Sequence, residues 1–177
     1  MKQVYVVDTN VGVVANDGDP SRPPRCVIAC VEALLLVQKS CRLAIDDGNR
    51  ILAEYCNNLK RSGRPGVGDA FMKWVWDNRF NPDYCEQVGI HARPNSRGED
   101  FDEFPRDEDL SGFDHADRKF VAVAIASQSR PSVMNATDSD WFDYHRPLVR
   151  HGVKVEQLCP EVPRRSQKSR PKVNPRK

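Results

Sequence analysis

What the chain lacks narrows it first. No apolar run approaches the ~20 residues that a membrane-spanning helix requires; the longest, Val31 to Val37, is interrupted by Glu32. The opening residues, Met1 to Val7, read as a strand rather than a secretory leader, so a cytoplasmic location is expected. The six cysteines (Cys26, Cys30, Cys41, Cys56, Cys85 and Cys159) contain no Cys-x-x-Cys pair, and no histidine or second cysteine pair follows at zinc-finger spacing. Free buried thiols in a reducing compartment are therefore the expectation. No internal repeat is visible, and no Ser/His/Asp order or local Cys/His signature marks a covalent nucleophile. Membrane-spanning, collagen-like and wholly disordered classes are excluded for most of the chain.

What is present fits one folded domain. The 177 residues suffice to bury a core without staples, and 29% charged against 39% hydrophobic residues suits a soluble body. The net charge is only +2, but it is unevenly placed. From Pro160 onward seven basic residues, Arg164 and Arg165 among them, face one acid, Glu161, which leaves residues 1–159 net acidic. Residues 160–177 hold four prolines and few apolar side chains, so this segment reads as a basic, disordered tail. Such arms often meet nucleic acid.

Short β-branched runs alternate with amphipathic stretches. Val4–Val7, Cys41–Ile45, Gln87–His91, Ser132–Asn135 and Val153–Gln157 read as strands. Arg25–Lys39, Asn49–Arg61, Asp69–Arg79, Arg118–Ser127 and Trp141–Val149 read as helices, with Asp114 capping the fourth. Glu99–Asp109 holds seven acids and one base, and the surrounding segment, about 92–113, reads as an exposed acidic loop or insertion. The alternation predicts an α/β domain over residues 1–159, with a mainly parallel central sheet and helices on both faces, a three-layer Rossmann-like arrangement.

In such sheets ligands bind at the carboxyl ends of the strands. Three predicted strands reach acids there: Asp8, Asp46-Asp47 and Asp138; Glu54 and Asp117 open helices that follow. Singly, each has an ordinary role. Asp8-Thr-Asn is good turn chemistry, Asp46 or Asp47 can cap a helix, Glu54 can be solvated, and Asp117, Asp138 and Asp140 can be capping or loop acids. Together they would repel strongly, by roughly 4 kcal/mol per pair at 4 Å in an effective dielectric near 20. A fold that gathers them needs protons or a hard divalent cation, Mg²⁺ or Mn²⁺, among them.

The residues Val4-Tyr-Val-Val-Asp8-Thr-Asn10, Glu54, Asp117-Arg-Lys-Phe-Val-Ala-Val-Ala124 and Asn135-Ala-Thr-Asp138-Ser-Asp140-Trp resemble, in that order, the motifs of the PIN-domain nucleases, toxin-type ribonucleases in particular. The resemblance covers about residues 3–157. It implies a PIN-like fold and a Mg²⁺- or Mn²⁺-dependent endoribonuclease. Asp8, Glu54, Asp117 and Asp138 would be its catalytic and metal carboxylates, with Asp140 a further metal acid. Thr9, Asn10 and Asp114 would support them. Arg118, Lys119, Arg164 and Arg165 are the expected nucleic-acid contacts. The resemblance further implies RNA as the nucleic-acid partner, an antitoxin protein that blocks the pocket, and a homodimer. A DNA-directed nuclease of the same architecture and a catalytically inactive nucleic-acid-binding module fit the same residues. Two features depart from shorter members: the acidic segment and the basic tail.

Overall fold

The computed structural model describes residues 2–16, 22–60, 64–95 and 98–160. β1 (Val4–Val7) leads into α1 (Thr9–Ala15) and α2 (Pro24–Ser40); β2 (Arg42–Asp46) leads into α3 (Arg50–Asn58) and α4 (Val67–Asn78). β3 (Cys85–Val88) is followed by a hairpin, β4 (Ala92–Asn95) and β5 (Gly98–Phe101), and by a 3-10 turn, Glu108–Leu110. The chain then forms α5 (Arg118–Ala126), β6 (Ser132–Asn135), the short helices α6 (Asp140–Asp143) and α7 (His145–Arg150), and β7 (Val155–Gln157). Among the described residues no helix is long and apolar enough to cross a membrane.

Five strands make one parallel sheet in the order β3-β2-β1-β6-β7. The central strand is the one whose four residues are all apolar and all buried, as a strand covered on both faces requires. From β1 the chain steps outward through β2 to β3, then restarts on the other side of β1 with β6 and β7. Helix α1 packs against α2, α3 and α4, while α5 packs on β1, β2 and β6. The carboxyl ends of β1 and β6, in register at Val7 and Met134, lie where the direction of winding reverses. In open α/β sheets that reversal leaves a crevice, and ligands bind there.

Two helices cross closely beneath this edge. A Cβ added to Gly68 at the start of α4 would stand 2.0 Å from the Gly12 carbonyl oxygen of α1, so only glycine permits the approach. Asn16 and Asp69 lock the crossing: Asn16 Nδ2 donates to Asp69 Oδ1 at 2.8 Å, and the Asp69 amide donates back to Asn16 Oδ1 at 3.2 Å.

Four expectations change. The residues after Asp8 do not make a simple turn, because Asp8 caps a helix, α1. Asp114 does not cap α5; its side chain accepts from the Ala116 amide at 2.9 Å, and the helix begins only at Arg118. The acidic segment is not an exposed loop. Its antiparallel hairpin and 3-10 turn bury Phe101, Phe104, Leu110 and Phe113, and β5 packs on α5, which together with β1, β2 and β6 buries that helix from Arg118 through Ala124. Its apolar residues are spaced among acids, so periodicity alone concealed them. The cysteines are not all free: Cys26 and Cys159 form a disulfide, their Cα atoms 5.1 Å apart across 133 positions of sequence. That separation is within disulfide reach, and sequence spacing carries no trace of it. The expected basic tail, with Arg164 and Arg165, lies outside the described residues apart from Pro160.

Candidate functional site

Asp8 leaves the end of β1 with its amide donating to Met134 O of β6 at 3.0 Å. Its side chain then accepts from the Asn10 amide at 2.9 Å, which caps α1, and from the Trp141 indole Nε1 at 2.6 Å. Asn10 ties α1 to the turn after β6: its Nδ2 donates to Asn135 Oδ1 at 2.9 Å and its Oδ1 accepts from the Ala136 amide at 2.8 Å. Asn135 holds Asp138 on both sides, accepting from its amide at 3.2 Å and donating to its carbonyl at 3.0 Å. Gln157 of β7 braces the same turn, accepting from Asn135 Nδ2 at 2.7 Å and donating to the Trp141 carbonyl at 3.2 Å. Asp117 arrives from the residue before α5, and its side chain makes no capping hydrogen bond.

These pieces bring oxygens of Asp8, Asp117 and Asp138 within 4.8 Å of one another. At that spacing fully ionised carboxylates repel by roughly 3 kcal/mol per pair at an effective dielectric near 20. Asp8 and Asp117 are also only 3% and 8% exposed. Burial pushes Asp8 up to about 7; the Asn10 and Trp141 hydrogen bonds oppose this, and the Asp138 and Glu54 charges add to it. Burial, then the charges of Asp8, Asp138, Asp114 and Glu54, push Asp117 up to about 9. Without a counter-charge the cluster therefore retains protons near neutral pH. All three donors are hard carboxylate oxygens, the set that Mg²⁺ or Mn²⁺ takes.

Of the other residues singled out from sequence, Glu54 reaches the rim without joining the triad. It stands in the second turn of α3, accepts from Thr9 Oγ1 at 2.5 Å and pairs with Lys119. Asp140 is used in holding the loop before α5: its Oδ2 accepts from the Asp114 amide at 2.9 Å, and its own amide donates to Asp138 Oδ1 at 2.8 Å. Asp46 caps α3 through the Arg50 and Ile51 amides, each at 2.8 Å, so its ordinary role is the one realised.

Arg118 and Lys119 are not at a nucleic-acid-facing surface. Both are over nine-tenths buried. Arg118 pairs with Asp100 at 3.2 Å, donates to Phe113 O and lies over the Phe104 ring, while Lys119 is held by Glu54 and the Ala116 carbonyl. They follow Asp117 in sequence, but Arg118 is covered by Asp100 of the hairpin, and Lys119 turns to Glu54 of α3.

Three side-chain roles were not expected from sequence. Trp141 holds Asp8. Lys119, expected to contact nucleic acid, balances Glu54 instead, and Gln157 braces the turn. Only Trp141 carried a local signal, its place directly after the Asp138-Ser-Asp140 acids. A cavity of about 750 Å³ opens elsewhere, lined by Phe142, Tyr144, His145, Arg150 and Gln157 but by none of the three clustered acids.

Comparison of the chain with protein-family models, with curated proteins and with solved structures finds no match.

Proposed function

We propose that the chain is a divalent-metal-dependent nuclease of PIN-like architecture, acting on RNA. One observation carries the reading: three carboxylates from three distant segments, two of them deeply buried, meet at the carboxyl edge where the sheet reverses its winding. The resemblance of the ordered motifs supports the choice of reaction and of RNA.

Asp8, Asp117 and Asp138 would hold Mg²⁺ or Mn²⁺. When bound, the ion supplies a water of lowered pKa and positive charge for the phosphate oxygens. The chain's own residues prepare the pocket. The Trp141 N–H and Asn10 amide fix the Asp8 carboxylate, and Asn10 with Asn135 fixes the turn that presents Asp138. Lys119 and Thr9 hold the Glu54 carboxylate at the rim. With Arg118 and Lys119 internal, phosphate contacts fall to other cations, and the tail arginines Arg164 and Arg165 remain candidates. An antitoxin-like partner and a homodimer belong to the same reading through the resemblance alone.

The test is cleavage of matched single-stranded RNA and DNA with Mn²⁺, with Mg²⁺ and with EDTA. Asp8→Asn and Asp117→Asn should each lower RNA cleavage by at least about 100-fold. The Asp117 side chain makes no capping hydrogen bond, so Asp117→Asn should leave the chain folded; Asp8→Asn gives up one of the two hydrogen bonds that its carboxylate accepts from Asn10 and Trp141, and circular dichroism checks that it folds. Cleavage that survives both substitutions, or that proceeds in EDTA, overturns the assignment; equal or greater activity on DNA overturns the choice of RNA.

A further inference from the structure

A second group of metal-ligating atoms lies apart from the acids. Cys26 and Cys30 stand one helical turn apart near the start of α2, and Cys159 follows β7 at the other end of the folded body. All three are buried, at 3%, 0% and 3% exposure, and their sulfurs lie within 4.8 Å of one another. Cys26 and Cys159 are bonded; the third sulfur, Cys30 Sγ, is 3.9 Å from Cys159 Sγ. With metal–sulfur bonds of ~2.3 Å, two thiolates on one ion stand roughly 3.8 Å apart in a tetrahedral site and roughly 4.0 Å in a trigonal one. The Cys30–Cys159 spacing matches that bite.

We propose that in the reduced chain Cys26, Cys30 and Cys159 form a three-thiolate site for one soft d¹⁰ cation, Zn²⁺ or Cu⁺, and that the disulfide is its ion-free, oxidised form. A thiol or phosphine reductant supplies two electrons and the Cys26–Cys159 bond breaks. Each sulfur takes up a proton, and entry of the ion then releases three protons, one from each thiol. Soft thiolates select these ions over the hard cations suited to carboxylate oxygens, so the molecule carries two chemically separate sites.

The test uses the full chain, oxidised or reduced with a phosphine. Cobalt(II) stands in spectroscopically for zinc, and a parallel arm delivers Cu⁺ against a chromophoric chelator. Reduced protein should take one equivalent with sulfur-to-metal charge-transfer absorption in the cobalt arm, or by competition in the copper arm. Oxidised protein should not bind at this site. Cys30→Ser, which leaves the disulfide possible, should weaken binding to the reduced chain by more than the roughly 10–100-fold that outer-shell changes cost. Asp8→Asn should bind the soft ion as the unaltered chain does, which separates this result from the fate of the nuclease reading. Should reduction alone unfold the chain, the ion must refold it, read by circular dichroism. Absence of binding in both arms, Cys30→Ser with undiminished affinity, or a reduced chain that stays unfolded with the ion overturns the proposal.

Discussion

At the scale of single residues, the acids at the sheet edge are held in tension. Asp8 at about 7 and Asp117 at about 9 stay protonated in the folded, metal-free protein at pH values where the unfolded chain has released those protons. The native state then binds more protons than the unfolded state from roughly pH 4, the unperturbed Asp value, up to the raised values. Stability from these two groups is present in full below that window and is lost as pH rises through it. A divalent cation should reverse the trend, because its binding expels the same protons and tightens as pH rises. Thermal melts between about pH 5 and pH 9, with EDTA and with Mn²⁺, should show a falling midpoint without metal and a Mn²⁺-dependent gain that grows with pH. A metal-free profile that rises across this range would contradict the buried, proton-sharing cluster.

At the scale of elements, the sheet strands and the long helices were legible, whereas what covers them was not. Ser132–Asn135 appears as a strand with the expected bounds, and α2 and α3 differ from expectation by a few residues at their ends. Apolar periodicity reports burial against a steady neighbour; the central strands have one in the adjoining strands, and α2 and α3 have theirs chiefly in α1 and α4. Helix α1 was missed because Asp-Thr-Asn has turn chemistry, and the cap it supplies is the beginning of a helix. The hairpin was missed because its buried Phe101, Phe104 and Phe113 sit among carboxylates, with Asp100 paired to the buried Arg118. The site was legible to the same degree. Asp8, Asp117 and Asp138 meet as their positions at strand and helix ends suggested, while the side chains that orient them come from pairings no local pattern reveals. The α1–α4 crossing offers a test at this scale. Gly68→Ala would drive a Cβ into the Gly12 carbonyl, backbone that cannot swing aside. It should cost about 2–3 kcal/mol in urea unfolding. A loss below a few tenths would show that the helices can separate freely.

At the scale of the molecule, one covalent bond joins α2 to Cys159, two positions after β7. The disulfide between Cys26 and Cys159 spans 133 positions, so it constrains the unfolded chain over nearly the whole folded body. In a chelator-containing buffer, reduction should lower unfolding free energy by about 4–5 kcal/mol, judged from the loop-length dependence of disulfide stabilisation. Urea midpoints with and without reductant measure it, and coincident midpoints would show that the bond adds nothing. Because Leu158 donates to Asn135 O at 2.8 Å and Gln157 braces the same asparagine, this end of the chain also seats the acid-bearing turn.

The indole that grips Asp8 is made 133 positions after it, and both sides of the winding reversal must be present before the two can meet. A ribosome-bound chain therefore carries its first carboxylate with the pocket unbuilt until the chain has been made through Trp141. Whatever chemistry the edge performs is withheld until that residue has been added, and fragments ending before Trp141 should be inert.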